Sequence, residues 1–287
     1  MDLERPSTSA LVRRLREAAR AKERSIGFAR ERETEPSPAA VVLLAEVGGL
    51  DPAAAGRAVA AGAASVLFAV DAEAASRLAR DGGAAKTAID ACGKAVAGVA
   101  VVAEAWTLSG LADGLARAGF DYVVADVDGA PAWLLTTEGL ACVARVEETA
   151  QTTGLLRALG DLQIDAILAG RTKPALAATG LSLLDLMSYR HVIECVRQPV
   201  MIAADASVEP EDIQALRDLG VVGIMVPGAN ADRLAAFGGA IANVKAGRVA
   251  GTGGPAVVLP RVAIGQGREA EEEEEDDESL APPRISS

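Results

Sequence analysis

The residues in this chain that can do chemistry fall just after short apolar runs. The first run ends Ala45-Glu46-Val47-Gly48, the second is followed by Asp71, and the third carries Glu104 ahead of Trp106. The fourth ends at Asp126 with Asp128 behind it, and the fifth carries Arg145, Glu147 and Glu148. Arg171 and Lys173 follow the sixth, and Asp205 and Ser207 follow the seventh. Converging carboxylates with two or three cations suit proton transfer or the grip on a polar ligand. Glu46 and Glu104 stand out as acid/base candidates, because an unpaired charge in or beside an apolar strand is costly. Arg145 and Arg171 are the natural anion clamps, Asp126 a further ligand contact, and Gly228-Ala229-Asn230 can offer backbone N–H groups where the last helix opens. Asp71 and Asp205 or Ser207 also have an ordinary use as helix N-caps, and Glu147 and Glu148 as solvated first-turn carboxylates.

Other chemistries find little support. The single histidine, His191, lies in a helical stretch, which argues against Ser/His/Asp or Cys/His nucleophiles and multi-histidine metal sites. An oxygen-ligand Mg²⁺ site from Glu46, Glu104 and Asp126 is conceivable but has no spacing signature, so no metal is assigned. Neither a P-loop nor a dinucleotide fingerprint occurs, and the sequence requires no cofactor.

What must position these residues is a repeat. Eight Val/Ile/Ala-rich runs recur from residue 41: Val41–Val47, Ser65–Val70, Val99–Glu104, Tyr122–Asp126, Ala141–Val146, Ala166–Ala169, Val200–Ala204 and Val222–Val226. Helical patterns intervene at 51–62, 72–94, 107–118, 151–160, 181–196, 208–219 and 230–246, with 127–139 the weak link. Strands apolar on both faces and alternating with helices imply a parallel sheet, and eight repeats imply an α/β fold of the closed (β/α)8 TIM barrel type. An open doubly wound sheet is the rival.

The segment Asp51–Ala69, DPAAAGRAVAAGAASVLFA, resembles the first helix and second strand of the indole-3-glycerol phosphate synthase group of phosphate-binding barrels. Val200–Gly228 resembles the last two units of the same group, and the arginine-bearing helix before the barrel is also similar. The resemblance implies a lyase or isomerase working on a small phosphorylated metabolite. It places Glu46 on the glutamate that ends the family's first strand, and Arg171 on the arginine after its sixth. The family's two catalytic lysines have no match, since Gly48 stands at one position and VVAEAW spans the other; Asp205-Ala206 replaces Ser-Gly. The alternatives are a barrel that no longer catalyses and serves as a binding or assembly module, and an FMN-binding oxidoreductase.

The expected organisation is an N-terminal helix and linker (1–38), the barrel (39–248), a Gly-rich segment with an extra strand at 256–264 (249–264) and a disordered acidic tail (265–287). Residues 9–24 form an amphipathic helix expected to bury its stripe on the barrel's base or a neighbouring subunit. The formal charge is −12, and the tail, with eight consecutive acidic residues at Glu271–Glu278, supplies −7 of it. That balance lacks the basic stripe of a nucleic-acid binder. Aromatics at 3% leave the core to Ala, Val, Leu and Ile. Three scattered cysteines and the lack of a long apolar run are read as a soluble cytoplasmic protein with no membrane or nucleic-acid partner, and homo-oligomer formation is left open.

Overall fold

The computed structural model describes residues 9–23, 39–147, 151–170, 180–205 and 207–244. Strands run at Val42–Gly48 (β1), Ser65–Val70 (β2), Val96–Val101 (β3), Tyr122–Asp126 (β4), Ala141–Val146 (β5), Ala166–Ala169 (β6), Val200–Ala203 (β7) and Gly223–Val226 (β8). Helices occupy Ala10–Glu23 (α1), Pro52–Ala60 (α2), Ala72–Arg80 (α3), Lys86–Ala91 (α4) and Leu111–Ala118 (α5). Thr153–Gly160 (α6), Leu183–Cys195 (α7), Ile213–Leu219 (α8) and Ala231–Ala242 (α9) complete them among the described residues. Every strand pairs in parallel with its sequence neighbour, and β8 closes on β1 through Val42↔Gly223 and Ala45↔Val226. The sheet is therefore a closed (β/α)8 barrel.

Alternation along each strand divides the core in two. Leu43, Ala45 and Val47 of β1 pack with the surrounding helices, while Val42 and Leu44 join an interior cluster with Leu67, Tyr122, Val124, Val143, Leu168 and Met201. The interior cluster also contains Leu11, Val12, Leu15 and Ala18 of α1, all fully buried. Helix α1 thus closes the base of the barrel, one of the two placements expected for it. It is fixed there by Asp121, which leads into β4: the carboxylate accepts Ser9 Oγ at 2.5 Å, Ala10 N at 2.7 Å and Leu11 N at 3.0 Å. The Ala10 and Leu11 N–H groups are among those that a helix start leaves without intrahelical partners. Arg14 adds bonds to the carbonyls of Ala64 and Lys94, at 2.5 and 3.1 Å.

The barrel has one bulky interior ring to accommodate. Tyr122 is fully buried, its hydroxyl 2.8 Å from Ser65 Oγ, and Gly98 on β3 lies beside the ring. A Cβ at Gly98 would stand 2.1 Å from Tyr122 Cζ, so only glycine fits.

Three readings from sequence shift. The third strand starts at Val96 and ends at Val101, three residues earlier than the apolar run VVAE suggests. The helix expected over 72–94 breaks at Asp81-Gly82-Gly83, where Asp81 accepts Gly83 N and the chain turns through a 3-10 segment before α4. The weak link after β4 holds only a 3-10 turn, Ala132–Thr136. The linker, the extra strand at 256–264 and the acidic tail lie outside the described residues. No described helix is long and apolar enough to cross a membrane.

Candidate functional site

The same alternation that builds the interior cluster aims three charged residues into the barrel's C-terminal end. On β1, Val42 and Leu44 face inward, so Glu46 does too; on β4, Tyr122 and Val124 lead to Asp126; on β5, Ala141 and Val143 lead to Arg145. Above the apolar layers, the barrel therefore ends in a polar one. Asp126 and Arg145 are direct partners in the β4–β5 register. Glu46 comes from β1, which stands opposite β5 in the closed strand order.

Arg145 bridges both carboxylates. Its Nη2 lies 3.6 Å from Glu46 Oε1 and its Nε 3.7 Å from Asp126 Oδ1. The side chains are 27% (Arg145), 22% (Glu46) and 37% (Asp126) exposed, so the group sits at a mouth and not in a sealed interior. Both contacts are beyond hydrogen-bond length. Among the described residues, Arg145 Nη2 and Asp126 Oδ1 are themselves shielded and have no hydrogen-bond partner. Buried polar atoms in native proteins are nearly always bonded, so these two mark where a water or a ligand's polar atom would fit.

The remaining candidates divide. Glu104 falls outside the cluster: with β3 ending at Val101, it is exposed on the 3-10 turn Ala103–Thr107, where its carbonyl accepts Thr107 Oγ1 at 3.0 Å. The burial that singled it out rested on a strand boundary the barrel register does not support. Arg171, Lys173 and Glu148 lie outside the described residues. Asp51 and Asp71 cap α2 and α3, accepting Ala53 N and Ala74 N at 2.8 Å each. No group of three or more His, Cys, Asp or Glu side chains that could hold a metal occurs among the described residues, so Glu46, Glu104 and Asp126 do not form a Mg²⁺ ligand set.

At the β8 turn, Gly228 takes φ +74° and no atom crowds the position of its missing side chain. Asn230 is the N-cap of α9, and its Oδ1 already accepts Asp232 N at 3.0 Å and Arg233 N at 3.2 Å. An anion at this turn would therefore meet the Gly228 and Ala229 edge more than the helix's own first N–H groups. Asp205 is engaged locally, its Oδ1 accepting Ser207 N at 2.8 Å and Ser207 Oγ at 2.5 Å.

Two features of this end escaped the sequence reading. Arg233 donates to the carbonyls of Asp205 and Val208, pinning the β7 loop to the start of α9, and its guanidinium lies 5.5 Å from the Phe237 ring centroid. The available signal was a cation in a helix's first turn, where the macrodipole disfavours it unless it has a separate task. Trp106 and Trp133, on the turns after β3 and β4, meet edge-to-face with centroids 5.9 Å apart. They are the chain's only tryptophans, and both follow strand ends.

No family model matches the chain, and no curated protein does. Solved structures do match in fold. A thiamine phosphate pyrophosphorylase from Pyrococcus furiosus is similar with a TM-score of 0.51 at 14% identity, covering 70% of this chain and 96% of its own. Mycobacterium tuberculosis tryptophan synthase is similar with a TM-score of 0.54 at 17% identity, over 81% of this chain and 98% of that one. The tryptophan synthase A-subunit of Pyrococcus furiosus is similar with a TM-score of 0.53 at 13% identity, over 69% and 98%. Likeness at these identities carries the eight-stranded parallel barrel, and the narrower resemblance to indole-3-glycerol phosphate synthase is not carried by it.

Proposed function

We propose that the C-terminal mouth of the barrel binds a small, phosphorylated metabolite and that the chemistry is of the lyase or isomerase kind. The observation that carries this reading is the ion-paired group Glu46–Arg145–Asp126, in which two shielded polar atoms have no hydrogen-bond partner among the described residues. Glu46 is the proton acceptor or donor. Arg145 faces it across the interior and holds an oxygen on which negative charge develops, while Asp126 orients the guanidinium. A base opposite a fixed cation is what proton removal beside a carbonyl needs. Gly228 and Ala229 supply the open edge for a phosphate group, and Arg171 is the further clamp. The fold's likeness to a thiamine phosphate pyrophosphorylase fits this ligand class. The test is a thermal-shift screen over phosphorylated trioses, pentoses and hexoses, repeated with Arg145→Met; a binder must raise the wild-type melting temperature and not that of the variant.

A second reading, a barrel used for assembly, is favoured by one observation. Leu183, Leu184 and Met187 on the first turns of α7 are 80%, 70% and 68% exposed. Sedimentation of wild type against Leu183→Ser/Leu184→Ser distinguishes it, since only an assembly surface would lose mass.

A further inference from the structure

A groove of about 1110 Å³ opens at the opposite end of the barrel from Glu46 and Arg145, among the segments that lead into β5, β6, β7 and β8 and along α1. Its volume lies just above the roughly 300–1,000 Å³ of typical small-molecule sites. Part of its lining is apolar: Ile164 and Pro199 stand just before their strands, and Leu162, 48% exposed, is at the edge. Part is cationic. Arg16 and Arg20 lie four residues apart on α1 and so on one face of it, and Arg197 faces the groove from the turn ahead of β7.

Among the described residues none of these three guanidiniums has an ion-pair or side-chain hydrogen-bond partner. Two carboxylates are also among the described lining residues, and they are not equivalent. Asp165 Oδ2 accepts Cys142 N at 2.9 Å, which commits one of its oxygens to the backbone, while Asp161 is exposed. Burial raises the Cys142 thiol to about 12, so it lines the groove as a neutral group. Among the described lining residues three cations stand against two anions, a positive excess in a chain of formal charge −12.

We infer that this groove is a second ligand site, distinct from the barrel mouth, for a small amphipathic organic anion. The apolar body lies on Ile164, Pro199 and Leu162, and its carboxylate, sulfonate or phosphate head meets Arg16, Arg20 and Arg197. Neither component alone is enough. Unpaired arginines at a surface are ordinary, and so is a patch of Leu and Ile. Their convergence on one concave site of this volume selects a ligand with both characters. The base of the barrel is where side chains usually serve stability alone, and α1 already fulfils that purpose with its Leu11, Val12 and Leu15 face. The arginines are on a different side of the same helix.

The test uses the full chain and two probes with a common apolar body. 8-Anilinonaphthalene-1-sulfonate carries the anion, and N-phenyl-1-naphthylamine lacks it. Fluorescence titration should show saturable binding of the sulfonate at one site per chain, with the neutral probe at least about tenfold weaker. Arg20→Glu and Arg197→Glu, both at exposed positions, should each weaken the sulfonate by about tenfold and leave the neutral probe nearly unchanged. Leu183→Ser/Leu184→Ser, on the separate apolar patch of α7, should change neither. Far-ultraviolet circular dichroism and melting temperature establish that each variant is folded. The inference is overturned if the sulfonate does not saturate, if both probes bind equally, if the arginine variants bind as wild type, or if the α7 variant is the one that removes binding.

Discussion

Arg145 Nη2 and Glu46 Oε1 lie 3.6 Å apart although their strands stand on opposite sides of the barrel. Only closure of the sheet makes this contact. In an open sheet, two strands separated by three others would hold their side chains far apart, since neighbouring strands are spaced by about 4.8 Å. The pair therefore reports on topology and on chemistry together: it shows that the barrel is closed, and it sets a carboxylate facing a guanidinium at the end where such barrels keep their reactive groups.

Replacing Arg145 by Met should separate stability from binding. The ion pairs are partly exposed and longer than hydrogen bonds, so the loss in unfolding free energy should stay within about 1 kcal/mol. A double-mutant cycle with Glu46→Gln, read by urea denaturation, should give a coupling of roughly 0.5–1 kcal/mol. A coupling indistinguishable from zero would mean that the two side chains do not interact in solution.

Gly98→Ala should be among the most destabilising single-methyl additions in the chain. The new Cβ would fall 2.1 Å from Tyr122 Cζ, and the ring is confined by its hydroxyl's bond to Ser65. Overpacking of this kind costs about 3 kcal/mol or more. Tyr122→Leu in the same background should recover part of the loss, because it removes the atoms that clash; urea midpoints of the four proteins check this.

Asp121→Ala should loosen α1 without opening the barrel. The carboxylate accepts three hydrogen bonds from the helix start, and loss of a cap costs about 1–2 kcal/mol. Amide exchange should quicken across residues 10–20 and stay as in wild type across β2 and β3.

The thiols give a pH dependence with a definite sign. Burial pushes Cys92 from 9.0 to about 11 and Cys142 from 9.0 to about 12, and the Tyr122 phenol is raised mainly for the same reason. Each group holds its proton in the folded state over a range where the unfolded chain has lost it. Stability from these groups is complete below their unfolded values and is lost as pH rises toward the folded ones, so the urea midpoint should fall between pH 9 and 11. At pH 8 a disulfide reagent should titrate Cys195, which is half-buried, and reach Cys92 and Cys142 only after denaturation.

Most of the barrel was legible in the sequence because its strands are apolar on both faces and its turns are marked by Asp, Gly and Pro. The strand from Ser65 to Val70 and those at 122–126, 141–146 and 166–169 stand as read. β3 was misplaced because VAGVAVVA is apolar throughout, and composition alone cannot say where the ladder ends. The Gly98–Tyr122 fit sets that register, and it is a contact between two strands. The site divides in the same way. Glu46, Asp126 and Arg145 could be found from strand-end position and inward alternation, whereas Glu104 inherited the error in β3. Arg233 and the Trp106–Trp133 pair act through loops whose approach depends on the closed barrel, which no local pattern encodes.

The most direct measurement is isothermal titration calorimetry of a phosphorylated sugar, chosen as the strongest stabiliser in the thermal screen, against wild type, Arg145→Met and Glu46→Gln. The account requires one site in wild type, binding at least about tenfold weaker in Arg145→Met, and retained binding with turnover abolished in Glu46→Gln. A site with equal affinity in wild type and Arg145→Met, or turnover that survives in Glu46→Gln, would contradict it.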